Sequence, residues 1–181
     1  MDLRDARQRS AFCLHHASDS VKAMLGKAYD SQVCSIARSL EIVGERWSLL
    51  IIRDALFARV TRFGDFQHNL GIATNVLTSR LEWFVVSGIM EREGTADYIL
   101  TTKGRALAVA LIALTEWGDE WASPIEPPIL YRHTACDGGA VHAVATCETC
   151  GVVPPDEIAV RIGPGMPVDY LAQRRGGTRS S

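Results

Sequence analysis

The chain has 181 residues, of which 47% are hydrophobic and 22% are charged, and its formal net charge is −2 at pH 7. This apolar content is enough for a hydrophobic core and excludes wholesale disorder. The small negative charge excludes a non-specific nucleic-acid coat protein, so nucleic-acid binding would need a local basic patch. We expect a cytoplasmic protein with no membrane contact, because no targeting signal and no apolar run of ~20 residues are present.

The first 30 residues are predicted to form an N-terminal arm or a short leading helix. Cys13, His15 and His16 lie close together there. These three residues could touch a metal ion, but a mobile arm without one is the simpler interpretation. The chain has five cysteines in all, and this odd number favours thiols or metal ligands over a disulfide framework.

Two helices are predicted next. Cys34 begins the first, whose apolar residues recur at helical spacing until Gly44 ends it. The second helix starts at Glu45 and is apolar on nearly all sides, which is typical of a helix buried by its neighbours. Arg53 and Asp54 are predicted to form its one solvent-facing edge.

The central stretch, residues 62–102, determines the architecture of the chain. A brief helix leads to a tight turn at Gly71, a second helix follows from Ala73 to Val86, and a short hairpin completes the stretch. This order is typical of a winged helix-turn-helix, whose second helix enters the DNA major groove.

The second helix of this stretch has two different faces. Leu77, Leu81 and Phe84 form a narrow apolar stripe that must be buried. The opposite face carries short polar side chains that can reach base edges and phosphates, although in an isolated helix such a face would only be solvated. The preceding turn and the following hairpin favour the DNA interpretation. The predicted DNA-contact residues are Arg62, Thr74, Asn75, Thr78, Ser79, Arg80 and Arg92.

A long helix is predicted from Thr102 to Trp121, with apolar residues on two faces. One face would suffice to dock on its own domain, so the second face predicts packing against a partner chain as a homodimer. Leu107, Leu111, Leu114 and Trp121 are assigned to one face, and Val109 and Ile112 to the other. Three prolines at 124, 127 and 128 then predict a boundary.

The remainder of the chain is rich in Gly, Val, Pro, Cys and His. Short strands are predicted at residues 129–131, 141–145 and 158–162. The spacing of His133, Cys136, Cys147 and Cys150 is that of a small zinc ribbon, in which four N and S ligands hold a structural zinc ion. A hairpin of reduced cysteines without metal, or a disulfide between Cys136 and a later cysteine, remains an alternative.

The predicted fold is therefore mainly α with a small β wing, a winged helix-turn-helix, followed by a small β-rich C-terminal segment of the zinc-ribbon type. The predicted domain boundaries are an N-terminal arm at 1–30, a DNA-binding and dimerisation domain at 31–123, a Cys-containing segment at 129–168 and a flexible tail at 169–181.

Many spaced residues resemble the HxlR-type winged helix-turn-helix regulators over residues 34–122. The matching stretches are residues 34–54, Arg62-Phe63, 70–73, 76–81, Gly88, 100–104 and 116–118. The resemblance implies a homodimeric transcriptional regulator that binds double-stranded DNA. The second apolar face of the helix 102–121 predicts a two-fold dimer, and so a pseudo-palindromic operator. We expect a repressor that responds to a small-molecule or redox signal. Some members of the family sense oxidants through the cysteine before the first shared helix, a position that corresponds to Cys34.

Two departures from the family, the short hairpin and the Cys-containing tail after Pro128, leave other functions open. The hairpin is short, and its Glu93 and Asp97 would repel phosphate, so a protein-interaction module that has lost DNA binding is one alternative. A thiol oxidoreductase using Cys147 and Cys150 is another, although this pair lies outside any βαβ pattern. Cys34 itself could be a packing residue rather than a reactive thiol.

Overall fold

The structure is a computed structural model that describes residues 34–123 and 125–167. The N-terminal arm with Cys13, His15 and His16, Pro124, and the predicted tail lie outside the described residues. The chain divides into two compact units, residues 1–143 and 144–181. Within the described ranges, no helix combines the length and the apolar character needed to cross a membrane.

The first unit is mainly helical with one small antiparallel sheet. Its elements are α1 (Ser35–Val43), α2 (Ser48–Phe57), α3 (Phe63–Leu70), α4 (Thr74–Val86), β1 (Met90–Glu93), β2 (Asp97–Leu100), α5 (Thr102–Arg105) and α6 (Ala108–Trp121). β1 and β2 pair with Met90 opposite Leu100 and Glu93 opposite Asp97. The predicted order of helix, turn, helix and hairpin is confirmed.

The core of this unit lies where α2, α3 and α4 meet. Leu77, Leu81 and Phe84 on α4 are fully buried, which confirms the predicted apolar stripe. Ile51 and Ile52 of α2 are buried against the same core. Because these side chains recur at helical spacing, one face of α4 is fixed inward and the opposite face is left to solvent.

Asp54 does not lie on a solvent-facing edge of α2, so that prediction was wrong. Its residue surface is only 5% exposed, and its carboxylate accepts hydrogen bonds from Arg53 Nε at 2.9 Å and Nη2 at 2.7 Å. An ionised carboxylate can be buried when a cation satisfies it. The sequence pattern showed both charges but not that they pair with one another.

Two glycines are required at helix ends for different reasons. Gly71 follows α3 in the left-handed conformation, with φ of 61°, which only glycine adopts at little cost. Gly44 follows α1 with an ordinary φ of −78°, but a Cβ there would lie 2.5 Å from the carbonyl oxygen of Leu40. Gly44 ends α1 as predicted, and it is required there by close packing on Leu40 rather than by a left-handed backbone.

The predicted helix from Thr102 to Trp121 is two helices, α5 and α6. The Thr101 hydroxyl accepts a hydrogen bond from the backbone N–H of Gly104 at 3.2 Å and caps α5. Leu107 N–H then donates to the Gly104 carbonyl three residues back, so the α-helical ladder is interrupted before α6 begins. A Cβ at Gly104 would clash with the carbonyl of Ile89, which shows how closely α5 approaches the wing.

The two faces of α6 divide its apolar residues differently from the prediction. Leu111 and Ile112 are both buried, and Leu107 packs partly on the same core. Leu114, which was assigned to the same face as Leu111, is exposed, and Ile112, which was assigned to the other face, is buried. The exposed apolar residues of α6 and α1 are Ile36, Leu40, Val109, Leu114, Trp117 and Trp121.

The segment after α6 stays with the first unit up to Ala143. Tyr131 packs its ring on Phe57 with centroids 4.7 Å apart, and its hydroxyl lies 3.0 Å from Thr115 Oγ1. The Glu116 carboxylate accepts hydrogen bonds from the Ala143 backbone N–H at 3.1 Å and contacts His142 Nδ1 at 2.6 Å. The unit boundary after residue 143 therefore differs from the boundary predicted at the prolines.

The second unit contains a minimal hairpin. β3 (Thr146–Cys147) pairs with β4 (Gly151–Val152), and a single 3-10 turn follows at Pro155–Glu157. The strands predicted at 129–131, 141–145 and 158–162 are not formed. Most of their apolar residues stay exposed, as Val160 shows at 96%, and none is fully buried. A strand with little surface to pack against gains little from forming.

Candidate nucleic-acid interface

The polar face of α4 is open to solvent as predicted. Thr74 and Asn75 are exposed in its first turn, and Thr78 and Ser79 are partly exposed one turn later. Because Leu77 on the opposite side is fully buried, the rotation of α4 is fixed. Short polar side chains on a fixed helix are the groups that read base edges in the major groove.

A hydrogen bond between α3 and α4 holds the start of this face. Gln67 Nε2 on α3 donates to Thr74 Oγ1 on α4 at 2.8 Å. The Thr78 hydroxyl donates to the Thr74 carbonyl at 2.9 Å, which leaves its methyl group and lone pairs facing outward. The Gln67 contact was missed by sequence reasoning, although an amide seven residues before a helix-starting Thr was a usable signal.

Arg80 is placed differently from the prediction. Its side chain is only 6% exposed, and its Nε lies 4.0 Å from Glu45 Oε2. The Glu45 carboxylate also accepts the Trp47 backbone N–H at 3.0 Å. A buried arginine that is directed at the start of α2 cannot also extend to a phosphate, so Arg80 is withdrawn from the predicted DNA contacts and assigned to the core.

Arg62, unlike Arg80, is accessible for the predicted phosphate contact. Its side chain is 72% exposed, and its Nε lies 3.8 Å from Asp97 Oδ1. The same Asp97 oxygen accepts a hydrogen bond from the Thr61 hydroxyl at 2.7 Å. Asp97 therefore orients Arg62 and neutralises part of its charge, which differs from the simple repulsion of phosphate that was expected.

Arg92 lies on the wing, where its guanidinium is held against an aromatic ring. Its Cζ is 5.2 Å from the centroid of Tyr98, the residue opposite it across the sheet. A cation over an aromatic face is held at a fixed height above the strand. Arg92 remains exposed, so it stays available for a backbone contact beside α4.

Cys34 lies at the N-terminal cap of α1. Its backbone is extended, with φ of −79° and ψ of 131°, and its side chain is exposed. Backbone N–H groups at a helix N-terminus favour an anion such as a thiolate. The thiol is therefore exposed, and its reactivity stays a prediction.

The first predicted pair of metal ligands is brought together in the first unit. His133 Nδ1 lies 3.2 Å from Cys136 Sγ. Two ligands on one edge of a tetrahedral zinc site, with bonds of 2.0 and 2.3 Å, would be about 3.5 Å apart. The pair therefore has the spacing of a zinc edge, which the hydrogen bond also satisfies without metal.

The second pair lies in the turn of the second unit. Cys147 Sγ accepts a hydrogen bond from the Thr149 backbone N–H at 3.5 Å. The backbone N–H groups of Thr149 and Cys150 stabilise the thiolate and lower the pKa of Cys147 from 9.0 to about 7. Residues 34–123 and 125–167 contain no group of three or more His, Cys, Asp or Glu gathered to hold a metal ion, so the predicted ligands are present as two pairs.

Several residues that support the interface were not singled out from the sequence. Lys103 Nζ donates to the Ser87 carbonyl at 2.6 Å and so completes the C-terminal end of α4. The Thr101 hydroxyl donates to the Gly88 carbonyl at 2.7 Å. Trp83 Nε1 donates to the Ile42 carbonyl at 3.0 Å and ties α4 to α1. The stretch 100–104 therefore has a structural role, because it joins the end of α4 to the wing.

Comparisons with known proteins agree with this geometry. The HxlR-like helix-turn-helix family model matches residues 42–126. An uncharacterised HTH-type transcriptional regulator of Mycobacterium tuberculosis is 40% identical in an alignment of 140 residues that covers 73% of this chain and 87% of the relative. An HTH-type regulator of Synechocystis is 31% identical over 96 residues, covering 49% of this chain and 70% of the relative.

Two solved structures described as candidate transcription factors have a similar fold. PA1607 superimposes with a TM-score of 0.65 at 33% identity and covers 75% of this chain and 99% of its own. PA1374 from Pseudomonas aeruginosa has a TM-score of 0.55 at 34% identity, covering 77% and 99%. The chain therefore belongs to the HxlR-like helix-turn-helix family and is a transcriptional regulator of the HTH type.

Proposed function

We propose that the protein acts as a homodimer on a pseudo-palindromic DNA operator, with α4 of each protomer in the major groove. The observation that carries this proposal is the fixed, solvent-facing polar side of α4, which presents Asn75, Thr78 and Ser79. In the proposed division of labour these three side chains read bases, while Arg62 and Arg92 hold phosphates on either side.

The exposed apolar surface supports the dimer. Val109, Leu114, Trp117 and Trp121 on α6 are exposed over about three helical turns. Grouped exposed apolar side chains of this kind are typical of protein–protein contacts. A two-fold dimer would bury them against their own copy, and half-sites one helical turn apart would then meet both copies of α4.

An open cavity in the first unit supports a small-molecule effector. It has a volume of about 550 Å³ and is lined by α6 residues and the segment that follows, including Glu116, Asp119, Ile129 and Tyr131. This volume lies in the range of small-molecule sites. An occupant would contact α6 directly, and through α6 would change the dimer and the separation of the two DNA-reading helices.

A redox response through Cys34 is the second signal in the proposal. A bulky adduct, or a disulfide to the partner protomer, at the start of α1 would shift a helix whose Ile36 is exposed. Alkylation rates of the wild type and of Cys34→Ser across a pH series would test this. Reaction no faster than that of an ordinary thiol, with DNA binding unchanged after diamide, would reduce Cys34 to a packing residue.

The proposed function is tested by selecting bound fragments from genomic DNA with purified protein and then measuring stoichiometry on the selected site. We expect an inverted repeat bound by two protomers and a dimer in sedimentation at micromolar concentration. A monomer with no dimer on DNA would contradict the proposal. Failure to select any DNA would favour the protein-interaction module instead.

Transcriptional regulators among the relatives support a non-enzymatic, cytoplasmic role.

A further inference from the structure

The cavity of the first unit lies between α6 and the segment that folds back on this helix. Several contacts hold the segment in place. The Tyr131 ring packs on Phe57 with centroids 4.7 Å apart, and its hydroxyl lies 3.0 Å from Thr115 Oγ1. The Glu116 carboxylate accepts the Ala143 backbone N–H at 3.1 Å. The walls of this cavity of about 550 Å³ are therefore fixed by the fold itself, which lowers the cost of binding a ligand.

The lining of the cavity carries more negative than positive charge. Glu116, Asp119 and Glu120 line it from one side of α6, because residues three and four apart lie on the same face of a helix. The basic residues of the lining are Arg132 and His142. The three carboxylates therefore outnumber the positive charges whether His142 is neutral or protonated.

Two of these carboxylates have no cation beside them. Glu116 is already engaged, since its Oε1 lies 2.6 Å from His142 Nδ1. Arg132 donates to a backbone carbonyl of its own hairpin turn at 3.2 Å. Within the part of the chain that the structure describes, the side chains of Asp119 and Glu120 make no hydrogen bond or ion pair. The cavity is thus electrostatically suited to a positively charged group.

The opposite wall of the cavity is apolar and open to solvent. Ile129 is 49% exposed and Leu130 is 65% exposed, although both residues line the cavity. Pro127 and Val141 extend the same wall. A ligand that covered these side chains would remove apolar surface from water, which favours binding. A ligand that matches both walls has an apolar body and a cationic head.

We propose that the cavity binds an organic cation of this kind, an arylalkyl or alkyl amine, with its head at Asp119 and Glu120 and its body on Ile129 and Leu130. This inference rests on the proposed small-molecule effector and names its chemical class. A hydrated metal ion would leave the apolar wall uncovered. An anionic ligand would meet two carboxylates that no cation neutralises.

The test is calorimetric titration of the full-length protein, without DNA, by three probes that share one apolar body. Phenylbutylamine, phenylbutanol and phenylbutanoate differ in the charge of the head group. We expect saturable binding of the amine, binding of the alcohol that is weaker by about 3- to 10-fold, and no binding of the carboxylate. Absence of amine binding would overturn this inference and leave DNA recognition intact. Failure to select an operator would contradict the proposed function and leave the amine titration unaffected.

Substitutions that keep side-chain size locate the two halves of the ligand. Asp119→Asn and Glu120→Gln should each weaken binding of the amine by about 3- to 10-fold and leave binding of the alcohol unchanged. Glu91→Gln on β1 is the matched control, because it removes a carboxylate outside the cavity, and it should change neither affinity. Ile129→Ser should weaken the amine and the alcohol by the same factor, because it alters the apolar wall and leaves the charge.

A second measurement on the wild-type protein covers variants that fail to fold. Addition of phenylbutylamine should shift the backbone amide NMR signals of Tyr131 and Val141 and leave those of β1 unchanged. Shifts that avoid Tyr131 and Val141 would overturn the site. Equal affinities for the amine and the carboxylate, or an equal loss in Glu91→Gln and Asp119→Asn, would overturn the role of the carboxylates. Displacement of the amine by Ca²⁺ at equal concentration would overturn the organic cation as the ligand.

Discussion

The winged unit and the C-terminal hairpin unit use apolar residues in opposite ways. In the first, Ile51, Leu81 and Phe84 are fully buried, whereas in the second Val152 and Ile158 remain more than half exposed. In the first unit, the helical spacing of apolar residues therefore predicts which side chains are buried, because these residues pack into a common core. In the described part of the second unit, residues 144–167, the same residue types form no core, and the tight turn between β3 and β4 defines the local structure.

The largest effect is expected when a core residue of the first unit is truncated. Phe84→Ala should lower the free energy of unfolding by about 3–5 kcal/mol, because it leaves a cavity in a closed core. The matched change in the second unit, Val152→Ala, should cost less than about 0.5 kcal/mol. Urea denaturation followed by circular dichroism measures both. Comparable losses would contradict the contrast between the two units.

A pair of glycine substitutions sharpens the comparison within the first unit. Gly104→Ala should destabilise the fold by about 1–3 kcal/mol, since the new methyl group would meet the Ile89 carbonyl and lie 2.7 Å from Leu100 Cδ2. Gly64→Ala is the control, because a Cβ at that position in α3 meets nothing within 4 Å. That change should stabilise α3 by up to about 1 kcal/mol. Thermal unfolding measures both changes in stability. If both substitutions stabilised the protein, or both destabilised it, the explanation by close approach of α5 to Ile89 would be contradicted.

Substitutions in the ion pair of Arg62 and Asp97 at the wing are expected to have a smaller effect, which is on DNA binding. Arg62→Ala should weaken binding to all sequences and reduce the salt slope by about one. Asp97→Asn should strengthen binding by up to about 1 kcal/mol, because Arg62 is then no longer neutralised. Arg38→Ala on α1 is the control for loss of a cation. Fluorescence anisotropy across a salt series measures all three, and weaker binding by Asp97→Asn would refute the proposed orientation of Arg62.

The smallest effect is expected for the exposed hydrogen bonds that join Glu116 on α6 to His142 and to the backbone N–H of Ala143. The hydrogen bond to His142, followed by that from the Ala143 backbone, lowers the pKa of Glu116 from 4.5. A lowered carboxyl pKa stabilises the fold above the unfolded pKa, and this contribution is lost as the pH falls through the folded one. Carboxyl NMR should show the Glu116 midpoint below 4.5 and rising in His142→Ala. An unchanged midpoint in His142→Ala would contradict the hydrogen bond between Glu116 and His142.

Sequence reasoning succeeded where the signal was periodic and local. The stripe of Leu77, Leu81 and Phe84, the turn at Gly71 and the wing were all predicted because spacing alone determines them. It failed for Arg80 because the partner that buries it, Glu45, precedes α2 and is distant in the sequence. The break between α5 and α6 was also missed, since it depends on the docking of Gly104 against Ile89.

The candidate site was predicted only in part for the same reason. Asn75, Thr78 and Ser79 follow from the helical face opposite the buried stripe, so their exposure was predictable. The pairing of Arg62 with Asp97 is a tertiary contact between residues far apart in the sequence, which no local pattern encodes. The strands predicted beyond residue 128 failed because local β-propensity without a packing surface does not produce a sheet.

The most direct test of base reading by α4 is the binding of Asn75→Ala to the selected operator and to unrelated DNA. We expect a loss of about 1–3 kcal/mol on the operator with binding to unrelated DNA unchanged. Asn69→Ala, the same amide removal on α3, is the matched control and should leave the preference intact. Equal loss on both DNAs, or no loss on the operator, would contradict the assignment of α4 as the helix that reads sequence.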